Sequence, residues 1–408
     1  MHRILISEGS SLSARQIITA LGMAGYRVGV CDPNPRCLGR FSRYVTQYYR
    51  SPVAGREPER YFDFVAGVLR RDHWDVLLPA HEQAFLFSRE KSRIPTTAAI
   101  ALAEFLSFVQ VQGKPALTRT LARLGLPQPT SHIVRTQAEL LAESCFPFYL
   151  KADYGTASTA VWCIRDDGEL QTRVAELAEG GLIDGVRGFV VQEPVEGPQE
   201  RVQAVFDRGR LVACQAYRQA LAGPGGGDIA KLQVERPAIR QCVEKLGEAL
   251  AWSGALSLDY ILRGKEETPV FIDANPRLVE PMNAVFSGLN LAEILVRVSL
   301  GEEVKGAKSS RSGVRTHMLL MALLAAAEKR SSRFDVLAEL VRVLTGRGVY
   351  RGSREELLPL GIDFKCLFPL AHVLIRLLLR PASAVLIRES TIAAYSLSPS
   401  VAAKVARG

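Results

Sequence analysis

Short apolar runs alternate with amphipathic stretches along the first hundred residues. Residues 2–6 predict a strand, 7–13 a polar turn and 14–24 a helix ended by Gly25. A second strand over 27–31 runs into Asp32-Pro33-Asn34-Pro35. This βαβ opening predicts a Rossmann-like parallel fold with Asp32 where a ribose-binding acid can stand, although only Gly9 remains of the glycine run such sites use. Residues 75–82 predict another parallel strand, and ligands of open α/β sheets gather at such carboxyl edges. Glu82 is therefore a substrate-pocket candidate, or else a cap for the helix expected over 83–88.

The middle of the chain changes rhythm. A helix over 116–124 is stopped by Gly125, Pro127 and Pro129. Strands follow from Phe148 into Lys151, back to Ile164, and at 189–192, then as a pair at 202–207 and 210–218. The glycine-rich stretch 223–228 reads as a lid that closes on an acceptor. A helix over 238–251 precedes two strands joined by the polar turn 263–268. In Val270-Phe271-Ile272-Asp273-Ala274-Asn275-Pro276-Arg277, side chains alternate, so Asp273 and Asn275 share a face. Pairing as a hairpin would bring Asp259 to them. Hard oxygen donors of this kind suit Mg²⁺, with phosphate completing its shell, and a planar guanidinium such as Arg277 suits the same phosphates. The alternative leaves Asp273 a strand-end turn residue and Arg277 a surface partner.

Three further stretches carry candidate chemistry. Lys151-Ala152-Asp153-Tyr154-Gly155-Thr156-Ala157-Ser158 is a lysine followed by a small-residue loop, which lets backbone N–H groups approach phosphate oxygens. Gln192-Glu193-Pro194-Val195 ends an apolar strand, with Glu200 seven residues after Glu193. Gly113-Lys114-Pro115 opens a helix. In this order the stretches resemble the ATP-grasp superfamily over residues 1 to about 300. The resemblance implies phosphate contacts from Lys114, Lys151, Gly155 and Ser158, and adenine binding along Gln192, Glu193 and Val195. It also implies Glu200 on the ribose and ATP with Mg²⁺ (or Mn²⁺) on Asp259, Asp273 and Asn275. Ala160 departs from the glycine many relatives carry. Arg277 is the expected catalytic cation that stabilises charge on the phosphoryl oxygens, and Arg218 a second one that binds a substrate carboxylate or the acyl phosphate. Each also has a plain reading: Lys114 as a solvated helix-start lysine, Glu193 and Glu200 as turn acids, Arg218 as a surface arginine.

The expected fold is thus α/β, with α+β character in the ATP-grasp part. A Rossmann-like domain would occupy residues 1–105, and a two-lobed ATP-grasp domain 106–300, its lobes 106–190 and 191–300. A basic C-terminal domain would occupy 301–408. The implied activity is a carboxylate–amine ligase acting through an acyl phosphate on small-molecule acids and amines. An acceptor of carboxylase or carbamoyl-phosphate type, or a non-catalytic ATP-binding membrane-peripheral protein, stands as the alternative. Seven scattered cysteines without Cys-x-x-Cys spacing argue against a disulfide framework or structural zinc. The opening residues read as a strand and not as a leader, so the cytoplasm is the expected compartment.

Charge changes the picture only at the end. Residues 301–408 hold 17 basic and 9 acidic residues, nearly all of the net +9. There the apolar stretch 366–380 falls short of a membrane span. It reads as a core or dimer-interface helix, leaving room for a homodimer. A second reading is weak membrane-surface contact with Arg376, Arg380 and Arg388 at the headgroups. Nucleic-acid contact is not expected, because aromatic residues do not interleave with the basic ones.

Overall fold

Four parallel strands open the chain: β1 (Arg3–Ile6), β2 (Arg27–Asp32), β3 (Val45–Arg50) and β4 (Val76–Leu78), in spatial order β3-β2-β1-β4. The computed structural model describes residues 2–155, 160–304 and 310–407. Helix Leu12–Met23 begins where Ser11 Oγ accepts a hydrogen bond from Ala14 N, and it buries Ile17, Ile18 and Leu21 against Ile4 and Val28. The chain runs outward from β1 through β2 to β3, then returns to place β4 on the other side. The order reverses at the carboxyl ends of β1 and β4, the rim at which open α/β sheets gather ligands. Glu8 and the His81-Glu82 pair are buried at that rim.

A small antiparallel sheet follows, made of β5 (Ser131–Val134), β6 (Phe148–Ala152), β7 (Val161–Ile164) and β8 (Phe189–Gln192), in order β5-β8-β6-β7. Helix Asp167–Glu179 covers it through Leu170, Val174 and Leu177. Strand β8 straddles the lobe boundary expected at 190/191.

The large sheet contains β9 (Gln199–Asp207), β10 (Arg210–Ala222), β11 (Asp228–Val234), β12 (Gly254–Arg263), β13 (Thr268–Asn275), β14 (Arg315–His317) and β15 (Arg354–Glu355). Its order is β13-β12-β9-β10-β11-β14-β15. Alternation along β9 divides its neighbours. Val202, Ala204 and Phe206 pack with Ile239, Val243 and Leu246 of helix Pro237–Ala249. Val205 faces the other way, toward Leu291, Leu295 and Val296 of helix Leu291–Ser299 and the first helix. Gly254 starts β12 at φ 89°, and a Cβ there would lie 2.3 Å from the Ala101 carbonyl oxygen, so only glycine fits.

Strands β14 and β15 come from beyond residue 300, so the C-terminal region is stitched into the large sheet. Helices Leu319–Arg330, Arg333–Leu344 and Leu367–Leu379 then build a separate core around Leu323, Val336, Leu357 and Leu377. Helices Ser383–Tyr395 and Pro399–Arg407 return to the first sheet. There Gln83 Nε2 donates to the Tyr395 carbonyl at 3.0 Å, and Leu397 N donates to Glu82 Oε2 at 2.6 Å. Arg89 Nη1 donates to the Lys404 carbonyl at 3.0 Å. Among the described residues, no helix is long and apolar enough to cross a membrane.

Candidate functional site

The hairpin β12–β13 carries the candidate metal ligands. Its register sets Asp259 directly opposite Asp273 and Ser257 opposite Asn275, so Asp259, Asp273 and Asn275 share one face. Arg201 of β9 lies opposite Asp259 on that face, and its Nε donates to Asp259 Oδ2 at 3.2 Å. The same guanidinium pairs with Asp228 and donates to the Gly226 carbonyl at 3.0 Å. Burial pushes the Asp259 carboxyl up to about 6; Arg201 opposes the rise and Asp273 adds to it. Among the described residues, no group of three or more His, Cys, Asp or Glu side chains could hold a metal ion. The set on offer is two carboxylates and an amide, which fits a cation that takes one or two carboxylates and fills its shell with water and phosphate.

Two lysines arrive from the small sheet's side. Lys151 Nζ, from β6, donates to the carbonyl of Ile272 at 2.8 Å, one residue before Asp273. Lys114, first in helix Lys114–Arg123, lies 3.9 Å from Asp273 Oδ1 and 3.4 Å from the Gly155 carbonyl. Both lysines are buried, while Asp273 keeps 35% of its side chain exposed. Burial pulls Lys151 down to about 8, with Asp273 opposing and Lys114 adding to the fall. Two ammonium groups sharing one half-solvated carboxylate leave an excess of positive potential that suits an anion. Gly155 opens the adjoining loop, where a Cβ would come within 2.3 Å of the Ala160 side chain. Ser158, expected in that loop, lies outside the described residues.

Arg277 follows the hairpin. Ser257 Oγ donates to its carbonyl at 2.7 Å, fixing the corner. Its guanidinium is buried, Nε has no hydrogen-bond partner, and no carboxylate of the described residues lies within ion-pair distance. Burial lowers its pKa and the field of Glu82 opposes that. Beside it stands His81, also buried, with Nδ1 unpartnered and its ring 4.2 Å from that of Tyr395. Glu82 reaches this rim but spends Oε2 on the Leu397 amide.

The link between the sheets runs along the edge of β12. Gln192 Nε2 donates to Ser131 Oγ at 3.0 Å. Glu193 accepts from Thr130 N at 2.9 Å and pairs with Arg263. Val195 is half-buried, and Pro198 accepts from Leu262 N at 3.0 Å.

Glu200 and Arg218 stand elsewhere. Glu200 sits one residue from Arg201 on β9 and so points to the opposite face, opposite Tyr260 and Arg218. Its oxygens accept from Arg236 Nη2 at 2.7 Å, Arg218 Nε at 2.9 Å and the Tyr260 hydroxyl at 2.9 Å. Burial pushes this carboxyl up, and the bonds from Arg236, Tyr260 and Arg218 outweigh it, leaving Glu200 below its ordinary value. The sequence did not single out Arg201, Asp228 or His81. None of the three carried a local signal, since the strand order that sets Arg201 beside Asp259 is not written in the sequence.

No family model matches the chain. The carbamoyl phosphate synthase large chain of Thermus thermophilus is 25% identical over 215 residues, 49% of this chain and 20% of that protein. The corresponding protein of Rubrobacter xylanophilus is 23% identical over 315 residues, 71% of this chain and 29% of its own length. The chain thus spans about a fifth to a third of the curated relatives it matches. An L-amino acid ligase from Bacillus licheniformis has a similar fold, with TM-score 0.61 and 17% identity over 78% of this chain and 80% of that one. N5-carboxyaminoimidazole synthetase from Staphylococcus aureus, solved with ADP, gives 0.61 and 12% over 81% and 86%. The biotin carboxylase domain of a Hydrogenobacter thermophilus 2-oxoglutarate carboxylase, solved with MgADP and bicarbonate, gives 0.59 and 15% over 77% and 73%.

Proposed function

We propose that this chain, which has the ATP-grasp fold, is an ATP- and Mg²⁺-dependent ligase joining a carboxylate to an amine. The observation that carries this reading is the convergence of Lys114 and Lys151 on Asp273, directly opposite Asp259. ATP would lie between the small and large sheets, its adenine along residues 192–195 and its phosphates against the two lysines. Asp259, Asp273 and Asn275 would hold a divalent ion, which when bound would supply neutralising charge to the phosphate oxygens. Arg201 keeps Asp259 aimed while its second bond to Asp228 keeps Arg201 itself in place.

A carboxylate oxygen of the acceptor attacks the γ-phosphorus, and the bond to the β-phosphate oxygen breaks to release ADP. Such transfers are accelerated mainly by alignment and charge stabilisation, which the lysines and the partnerless Arg277 are placed to provide. An amine then displaces phosphate from the acyl phosphate and loses a proton, leaving an amide. The acceptor's place is the cavity of about 350 Å³ beside Gly155, walled by Asp153, Phe189, Ile392 and Leu397. In this reading Glu200 and Arg218 form an ion cluster that holds the far face of the large sheet.

A screen of amino acids and small acids in pairs, following ADP release and product mass, tests the proposal. ADP release that needs both an acid and an amine supports it; release indifferent to either defeats it. The likeness in fold to the biotin carboxylase domain solved with MgADP and bicarbonate favours one second reading, bicarbonate as the acceptor. Bicarbonate-dependent ADP release without any organic acid would select it.

A further inference from the structure

The C-terminal helices bury one apolar seam and expose another. Helix Arg333–Leu344 turns Val336 and Val343 into the core, yet Phe334, Leu337, Val341 and Leu344 lie outside it, 40–76% exposed. Their spacing of three, four and three residues runs them down a single outer stripe. Helix Leu367–Leu379 repeats the pattern: Leu370 and Leu377 are buried, while Phe368, Ile375 and Leu379 are 57–78% exposed. Of eighteen exposed large apolar residues described, twelve fall between Phe334 and Leu386. Monomeric surfaces rarely concentrate apolar groups in this way without a partner.

The charges around the stripes are of one sign. Between residues 331 and 388, every exposed charged side chain is basic, namely Arg333, Arg342, Arg347, Arg351, Arg354, Lys365, Arg376 and Arg380, and the first exposed acid after them is Glu389. Asp335 and Glu339 are half-buried, and Glu339 pairs with Arg342 at 3.3 Å; the other acids between 331 and 388 turn inward. Asp363 pairs with Arg15, Glu356 with Lys231, and Glu355 accepts from three backbone amides. Arg388, expected among the outward bases, instead donates to Glu328 at 3.1 Å.

We propose that this face, built on helices Arg333–Leu344 and Leu367–Leu379, docks on the surface of an anionic phospholipid bilayer. The apolar stripes would enter the acyl boundary while the arginines reach headgroup phosphates. A second copy of the chain fits less well, because pairing this face with itself sets arginine against arginine. The contact is peripheral, since neither helix is long enough to span.

Sedimentation of the full chain with phosphatidylcholine vesicles, and with vesicles also containing phosphatidylglycerol, tests the assignment. The unaltered protein should pellet with the anionic vesicles only, and less so as salt rises. The triple variant Arg342→Glu/Arg376→Glu/Arg380→Glu should lose affinity on the order of a hundredfold. Phe334→Ser/Leu344→Ser should also release the protein, with melting temperature and nucleotide binding unchanged. Failure of the unaltered chain to pellet with anionic vesicles overturns the proposal. So does concentration-dependent self-association that Phe334→Ser/Leu344→Ser abolishes, or RNA binding that the charge reversals abolish and the serine pair spares.

Discussion

Lys151 holds its ammonium where burial disfavours charge, and the fields of Asp273 and, more weakly, Asp259 only partly offset that. Its folded value of about 8 lies below the ordinary 10.5, so folding opposes the charged form. That cost is present in full below pH 8 and fades as pH climbs toward 10.5. Removing the charge with Lys151→Met should therefore raise stability at neutral pH, by up to roughly 3 kcal/mol, while abolishing ATP-dependent turnover; thermal melting and ADP release check the two halves. Asp259 sets the opposite limb. Because it titrates near 6 and must be ionised to hold a divalent ion, kcat/KM for ATP should rise through pH 6 and fall through pH 8. Glu200 provides a further discrimination. Glu200→Ala leaves Arg218 and Arg236 with Glu267 alone and the buried Tyr260 hydroxyl without its acceptor, and should cost about 1–3 kcal/mol in denaturant unfolding. If Glu200 also bound ribose, Glu200→Gln would raise the KM for ATP in the folded enzyme; the opposite-face placement leads us to expect little change.

At the level of elements, the β12–β13 hairpin was the part of the site most legible in the sequence. The polar turn and the strand periodicity dictate the hairpin, but the register set at the turn would place Asp259 opposite Ile272; a bulge between Phe271 and Asp273, which no local pattern announces, brings Asp259 opposite Asp273. The lysines were legible for a different reason: each sits at the start or end of a recognisable element. Arg201 was not, because its partners Asp228 and Asp259 arrive from two other strands, and strand order leaves no local pattern. Glu200 and Arg218 were assigned by motif position, without the face on which alternation places them. Arg201→Met should leave Asp259 adrift and lower kcat about 10²-fold or more, with a smaller effect on KM for the acceptor. Asp273→Asn should abolish ADP release while far-UV circular dichroism stays unchanged.

The whole molecule is closed by a segment whose role no local pattern announced. Helices Ser383–Tyr395 and Pro399–Arg407 meet the first sheet through Gln83, Glu82 and Arg89, and the turn between them lines the cavity beside Gly155. The basic composition of residues 301–408 was plain in the sequence; this return was not, since it depends on contacts between residues some three hundred positions apart. A chain cut before Ser383 should retain nucleotide binding, measured with a fluorescent ATP analogue, yet lose acceptor-dependent ADP release.

The contact of Glu82 with Leu397 also bears on how the protein reaches its working form. Joining positions 315 apart requires closing a very long loop, so this step belongs late in folding, after the sheets have formed. During refolding, recovery of nucleotide affinity should therefore precede recovery of turnover, and the interval between them would time the arrival of the last wall of the cleft.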